Sequence, residues 1–278
     1  MNRILCVANW SEGRNPETLT AMSQALRAAR CVVHFDVADF DHNRVVTAFS
    51  GQPHQVRETL FAVAAGAFAR IDMSKHAGVH PRIGALDVCP FIPLDGPVDP
   101  DFAPSIAEEI AGAYDLPIFL YEHSETGKHA ADLPSLRRGQ FEGLHGRELD
   151  PDHGPKTANS RLGATILGVR DWLVAMNLNL RIADLAIAST VAREIRRVRD
   201  SGDPRLRGVR ALGFSLASRR MSQISMNLTE PDETSPDQIV KWIEERTGLG
   251  EAELIGVIRP QDLPKARRLA VRDEQIVR

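Results

Sequence analysis

Residues 31–51 read CVVHFDVADFDHNRVVTAFSG. Two runs rich in Val and Phe, 31–38 and 44–51, flank the polar DFDHN, the pattern of two strands joined by a short loop. Upstream, RILCVAN (3–9) reads as a strand and SEGRNPETLTAMSQALRAA (11–29) as a helix. Pro16 suits the first helical turn, and Leu19, Met22 and Leu26 keep helical spacing. Downstream, QPHQVRETLFAVAAGAFARI (52–71) sets Val56, Leu60, Val63, Ala64 and Ala67 along one helical face behind Pro53, and RIGALDVCPFIPL (82–94) is a strand. Residues 3–94 therefore read β-α-β-β-α-β, the ferredoxin-like order in which two helices cover one face of an antiparallel sheet.

The same order returns later. A helix over 99–115 leads into LPIFLY (116–121), and residues 122–162 form a polar stretch rich in Gly, Pro, His and Arg, long enough to signal a functional loop. GATILGV (163–169) follows. From Trp172 to Arg259 come strand WLVAMNLNL, a helix closed by Gly202, strands VRALGFSLA and MSQISMNL, helix SPDQIVKWIEERTG and strand AELIGVIR. The expected architecture is α+β: two ferredoxin-like (βαββαβ) subdomains, residues 1–175 and 176–278, with antiparallel sheets packed against helices. The long loop is expected near their junction, where a cleft is a favoured ligand site.

Composition narrows the function classes. The 278 residues are 43% hydrophobic and 26% charged, as in globular chains, and the net charge of −3 gives no chain-wide footprint for nucleic acid or a membrane surface. No run approaches the ~20 apolar residues of a membrane span, and MNRILCVANW has too short an apolar run for a signal peptide. Cys6, Cys31 and Cys89 are an odd number, widely spaced in strand-like contexts. They read as reduced and buried in a cytoplasmic protein.

The chemistry concentrates in MSKHAGVHPRIGALDVCPF (73–91). A metal site needs His76 and His80 on one helical turn with further ligands, and Gly78 and Pro81 argue against that helix. An acid/base role suits His80, held by Pro81 just before a strand, because imidazole exchanges protons near neutral pH. From the motif alone, capping of the strand remains the competing reading.

Six blocks change that balance: CVANWSEGRNPE (6–17), HNRVVTAFSGQP (42–53), IDMSKHAGVHPRIGALDVCPFIPLDG (71–96), LPSLRRGQFEGL (133–144), GATILGVRDWLVAMNLNL (163–180) and SQISMNL (222–228). In content, order and spacing the chain resembles the formiminotransferase domain of glutamate formiminotransferases along nearly its whole length. The resemblance implies a folate-dependent enzyme of one-carbon metabolism and histidine degradation. It would transfer a formimino group between N-formimino-L-glutamate and tetrahydrofolate, the co-substrate, without a metal, as a cytoplasmic homodimer. His80 matches the family's general acid and base, with His76 shaping its loop. The cyclodeaminase domain that some relatives carry is not expected in this chain.

Asp36 is the candidate for orienting or charging the histidine or the amidine, with Asp39 and Asp41 as alternatives. His42, Asn43, Arg44 and Arg82 are the substrate-binding candidates, the two arginines for a carboxylate, which guanidinium meets in two-pronged fashion. The family's folate segment matches Gly154, Pro155, Lys156, Thr157, Ala158, Asn159, Ser160, Arg161, Leu162 and Gly163. Within it Lys156, Thr157, Asn159 and Arg161 depart from the family's less charged filling. Cations there, extended by LRRG (136–139), suit the anionic glutamate tail of folate. Two alternatives stay open: a glutamate N-formyltransferase on the same fold, and a folate-binding protein without turnover.

Overall fold

The computed structural model describes residues 2–248 and 250–278. It divides into two compact units, Met1–Arg170 and Asp171–Arg278. The division precedes the 175/176 boundary placed from sequence because strand β7 starts at Val174 and would be cut by it.

In the first unit the order is β1 (Ile4–Trp10), α1 (Pro16–Ala28), β2 (Val32–Asp39), β3 (Arg44–Gly51), α2 (Pro53–Phe68) and β4 (Leu86–Pro93). These are followed by α3 (Phe102–Tyr114), β5 (Ile118–Leu120), the short α4 (Leu133–Leu136) and β6 (Thr165–Val169). Asn15 caps α1, its side chain accepting from the N–H groups of Glu17 and Thr18, and Pro16 opens the helix without wasting a donor.

The sheet order is β2-β3-β1-β4-β6-β5. Its first four strands are the antiparallel ferredoxin-like arrangement expected from sequence. The antiparallel expectation fails at the far edge, where β6 pairs parallel with both β4 and β5. The crossover through α3 returns the chain in the direction of β4, so β5 and the inserted β6 run parallel to it.

Strand alternation sorts the two faces. Ile4, Cys6, Ala8 and Trp10 of β1, with Val45 and Phe49 of β3, point into one core with Met22, Leu26, Leu60, Phe68 and Ile106 from the helices. Trp10 donates to Thr47 Oγ1 at 3.1 Å, and its ring meets Phe68 edge-on. On the opposite face the loop segment contributes Leu144 and Leu149 to a second cluster with Ile83, Val88, Tyr121 and Ile166. Cys6 and Cys89 are buried as expected, whereas Cys31, at the exposed start of β2, is half-buried.

The second unit runs β7 (Val174–Leu180), α5 (Leu185–Asp200), β8 (Val209–Leu216), β9 (Met221–Leu228), α6 (Pro236–Thr247) and β10 (Gly250–Ile255). Its antiparallel sheet has the order β10-β7-β9-β8, the same ferredoxin-like permutation. Met176, Leu178, Ile224 and Met226 pack against Ala192, Ile195, Ile239 and Ile243 of its two helices. No helix is long and apolar enough to cross a membrane among the described residues.

Candidate active site

His80 is placed by a clasp of loops, six residues ahead of β4. Gly78 passes so close to the His42 carbonyl that a Cβ would collide with it. Asn43, in the left-handed conformation (φ 47°), ties the neighbouring turns together. Its Oδ1 accepts from Gly13 N–H at 2.9 Å, and its Nδ2 donates to the Ala77 carbonyl at 3.1 Å. His76 Nε2 lies 2.8 Å from the Asn43 carbonyl, and Arg82 Nε donates to His76 Nδ1 at 3.1 Å. A carbonyl only accepts and a guanidinium only donates, so His76 is the neutral tautomer protonated at Nε2. Burial first, then Arg82, hold its pKa below the ordinary value.

The same logic fixes His80. Its Nδ1 is 2.7 Å from the Pro81 carbonyl and its Nε2 is 2.7 Å from Arg44 Nη1. The ring is therefore protonated at Nδ1 and carries its lone pair on Nε2. Burial pushes its pKa well below the ordinary value, and the charges of Arg44 and Arg137, with His42, push the same way. The His42 ring stands beside it, centroids 5.6 Å apart. The result is a neutral, oriented base in a cationic setting.

Arg44 opens β3 on the face away from the helices, opposite Asp39 in the β2 register. Burial and Arg137 lower its pKa to about 10, partly offset by Asp39 and Asp87, so it stays charged at neutral pH. Arg137 forms an ion pair with Asp87, which is 2% exposed. Asp87 is the extra residue of a β-bulge: Asn9 opposes Val88 and Trp10 opposes Leu86, skipping it.

Other sequence-predicted residues take different places. Asp36 is not brought to His80; this corrects the expectation. It opposes Thr47, on the helix-facing side of β3, and accepts a hydrogen bond from Ser23 of α1. Asp39 opposes Arg44 in the sheet register and accepts the His42 backbone N–H at 2.8 Å. Arg82 is buried and spends each guanidinium N–H within the protein. Besides His76 Nδ1, it reaches Gln140 Oε1 (3.2 Å), both Glu142 oxygens (2.8 and 2.6 Å) and the His76 carbonyl (3.1 Å). It locks the His80 loop to residues 140–142 and has no N–H left for a ligand. Asn43 likewise spends its side chain on backbone groups.

Residues 154–163 form a braced turn. Asn159 and Gly163 exchange backbone hydrogen bonds, and Asn159 Nδ2 reaches the carbonyls of Tyr114 and Asp115 at the end of α3. Gly163 (φ 77°) runs against the Ile83 carbonyl, where a side chain would collide. Arg161 caps α2, donating to the carbonyls of Phe68 (2.6 Å) and Ile71 (2.9 Å). Lys156 forms an exposed pair with Glu148. Leu162 is buried, while Lys156, Thr157 and Ser160 remain exposed. Among the described residues no three His, Cys, Asp or Glu side chains converge at metal-ligand spacing.

The sequence reading missed Asp87 and Glu142 and treated Arg137 only as one cation of the LRRG patch. Asp87 lies in an apolar strand run, and the only available signal was its charge inside that run.

Comparison with known proteins gives the chain a family. The profile of the formiminotransferase domain, N-terminal subdomain, matches residues 3–170, and that of the formiminotransferase domain matches residues 175–273. The chain is 33% identical over 265 residues to the glutamate formimidoyltransferase of Streptococcus pyogenes serotype M1, covering 91% of this chain and 87% of that one. It is 32% identical over 282 residues to the glutamate formimidoyltransferase of Thermoplasma acidophilum, covering 95% and 90%. Against the formimidoyltransferase-cyclodeaminase of Sus scrofa, identity is 37% over 235 residues, spanning 81% of this chain and 43% of that protein. The chain belongs to the formiminotransferase-domain family.

Proposed function

We propose that this protein transfers a formimino group between N-formimino-L-glutamate and tetrahydrofolate, with His80 carrying the proton. The observation that carries the reading is the neutral imidazole with its tautomer set and its Nε2 lone pair presented to Arg44. When a donor carboxylate engages Arg44, the guanidinium leaves Nε2 and the lone pair is free to act as base.

The steps balance on one group. N5 of tetrahydrofolate attacks the amidine carbon, a C–N bond forms, and His80 Nε2 accepts the N5 proton. The tetrahedral intermediate then breaks its bond to the glutamate nitrogen, which leaves as an amine with the proton returned by the imidazolium. In this reading Asp39, which accepts the His42 backbone N–H, is the candidate carboxylate to favour that transient charge. Binding both substrates together supplies the remaining acceleration.

The exposed Lys156, Thr157 and Ser160 of the 154–163 turn are the groups available to folate, because Asn159 and Arg161 are committed to the protein. A cytoplasmic homodimer, with His80 and the folate turn in the N-terminal subdomain, accompanies this reading.

A formyl donor is the second reading. Its reacting carbon carries no cation, which suits a pocket where Arg44 and Arg137 already stand. Parallel assays with N-formiminoglutamate and N-formylglutamate decide between them. His80→Ala is expected to lower kcat by ~10² to 10⁴ while the protein stays folded and binds tetrahydrofolate. Wild-type turnover in that variant contradicts the assignment.

A further inference from the structure

Two guanidinium groups press on His80, those of Arg44 and Arg137. Arg44 gives Nη1 to His80, and its buried Nε has no hydrogen-bond partner among the described residues. Arg137 binds Asp87 along one edge, Nε to Oδ1 at 3.3 Å and Nη2 to Oδ2. Its Nη1 donates to no protein group among the described residues, although the side chain is only 14% exposed.

The sheet brings the two together. Val45 of β3 and Leu86 of β4 both oppose Trp10 of β1. Arg44 lies one residue to one side of that row and Asp87 one to the other, two strand spacings or about 10 Å apart across the sheet and offset along it. The bulge releases Asp87 from the alternation that sends Cys89 and Phe91 into the helix-side core. Ile83 N–H anchors Asp87 Oδ1 at 2.9 Å, so the carboxylate is fixed from the His80 loop as well. The charge of Arg137 reaches both His80 and Arg44.

We propose that Arg44 and Arg137 form a clamp for the two carboxylates of the glutamyl group, one to each guanidinium, with Asp87 as the positioning residue that leaves Arg137 Nη1 unspent. Arg137 then determines specificity for a dicarboxylate. The clamp rests on the reading of the donor as a glutamate derivative. Its physical basis is that crowded, largely desolvated cations gain charge-assisted bonds from a matching dianion. A ligand lacking one carboxylate leaves one cation unmatched.

The test is calorimetric binding of L-glutamate and L-glutamine to the full chain, in wild type, Arg137→Gln and Arg137→Lys. Wild type is expected to prefer L-glutamate by at least about tenfold, a difference of about 1.4 kcal/mol. Arg137→Gln is expected to remove that preference by weakening L-glutamate alone, with Arg137→Lys in between. In turnover, KM for N-formiminoglutamate rises more than kcat falls. If Arg137→Gln leaves Asp87 too costly to bury, the double variant Asp87→Asn, Arg137→Gln removes both charges and is expected to show the same loss.

A folded Arg137→Gln protein that still prefers L-glutamate overturns the clamp. So does a wild type that turns over N-formiminoglutamate without preferring L-glutamate, and the transfer reading then survives. A wild type that neither binds nor transfers defeats both.

Discussion

The two units share a strand permutation and differ in what their open sheet faces carry. In the first, the face away from the helices holds Arg44 with Asp39 opposite it, the bulged Asp87, and the His80 loop above. In the second, the corresponding face carries amides: Asn177 and Asn179 on β7, Gln223 on β9, and the carboxylate of Glu253 on β10. Asn177 donates to Glu253 at 3.1 Å and Gln223 to Asn179 at 2.8 Å, so hydrogen bonds tie these groups to one another. Topology alone does not make the chemistry. A bulge and a loop do, by aiming charged groups that a regular sheet would leave apart.

Charge changes on the first face should act on the reaction, beginning with His80→Ala as above. Arg44→Gln comes next. It is expected to lower kcat/KM for the glutamyl donor by about 100-fold, the scale of a lost charge-assisted contact of roughly 3 kcal/mol. The variant also has a signature in pH. The proposed base, His80, has its pKa held down by burial and by Arg44, so removing that cation raises it, and the acid limb of kcat/KM is expected to move to higher pH. An acid limb that stays put would separate Arg44 from the basicity of His80.

Arg82→Met probes the clasp instead. Several charge-assisted bonds from a buried guanidinium are lost, tempered by the exposure of Glu142, and a cost of about 2 kcal/mol is expected. That lowers Tm by roughly 5 °C. Calorimetry checks it, and an unchanged Tm would show that the loop is held by packing alone. On the amide face, Glu253→Gln keeps shape and hydrogen bonding while removing a charge. Its kcat is expected to stay within about threefold of wild type. A loss comparable to that of His80→Ala would erase the contrast between the faces.

Both strand orders were legible because each rests on short apolar runs separated by polar turns and helices, Val- and Phe-rich in residues 31–51 and Leu-, Met- and Ile-bearing in the second unit. His80 was singled out by the resemblance of the 71–96 block, because its motif alone left strand capping as a competing reading. Arg82 and Asp36 mark the limit. A sequence shows that an arginine follows the histidine by two, but not that its donors are all spent on His76, Gln140 and Glu142. Nor does it show which face a half-buried edge strand presents when its register shifts between Val33 and Phe35. Asp87 and Arg137 lie 50 residues apart, and the bulge that pairs them leaves no local mark.

The central claim is that burial, together with the charges of Arg44 and Arg137, keeps His80 neutral until a substrate anion offsets those charges. The direct measurement is the pKa of the His80 imidazole by NMR titration, free and saturated with N-formyl-L-glutamate, a dianion that cannot transfer without folate. The account requires a value below the ordinary histidine pKa of about 6.5 in the free protein, rising when the dicarboxylate binds. An ordinary or elevated pKa in the free protein, or one that the ligand leaves unmoved, would contradict it.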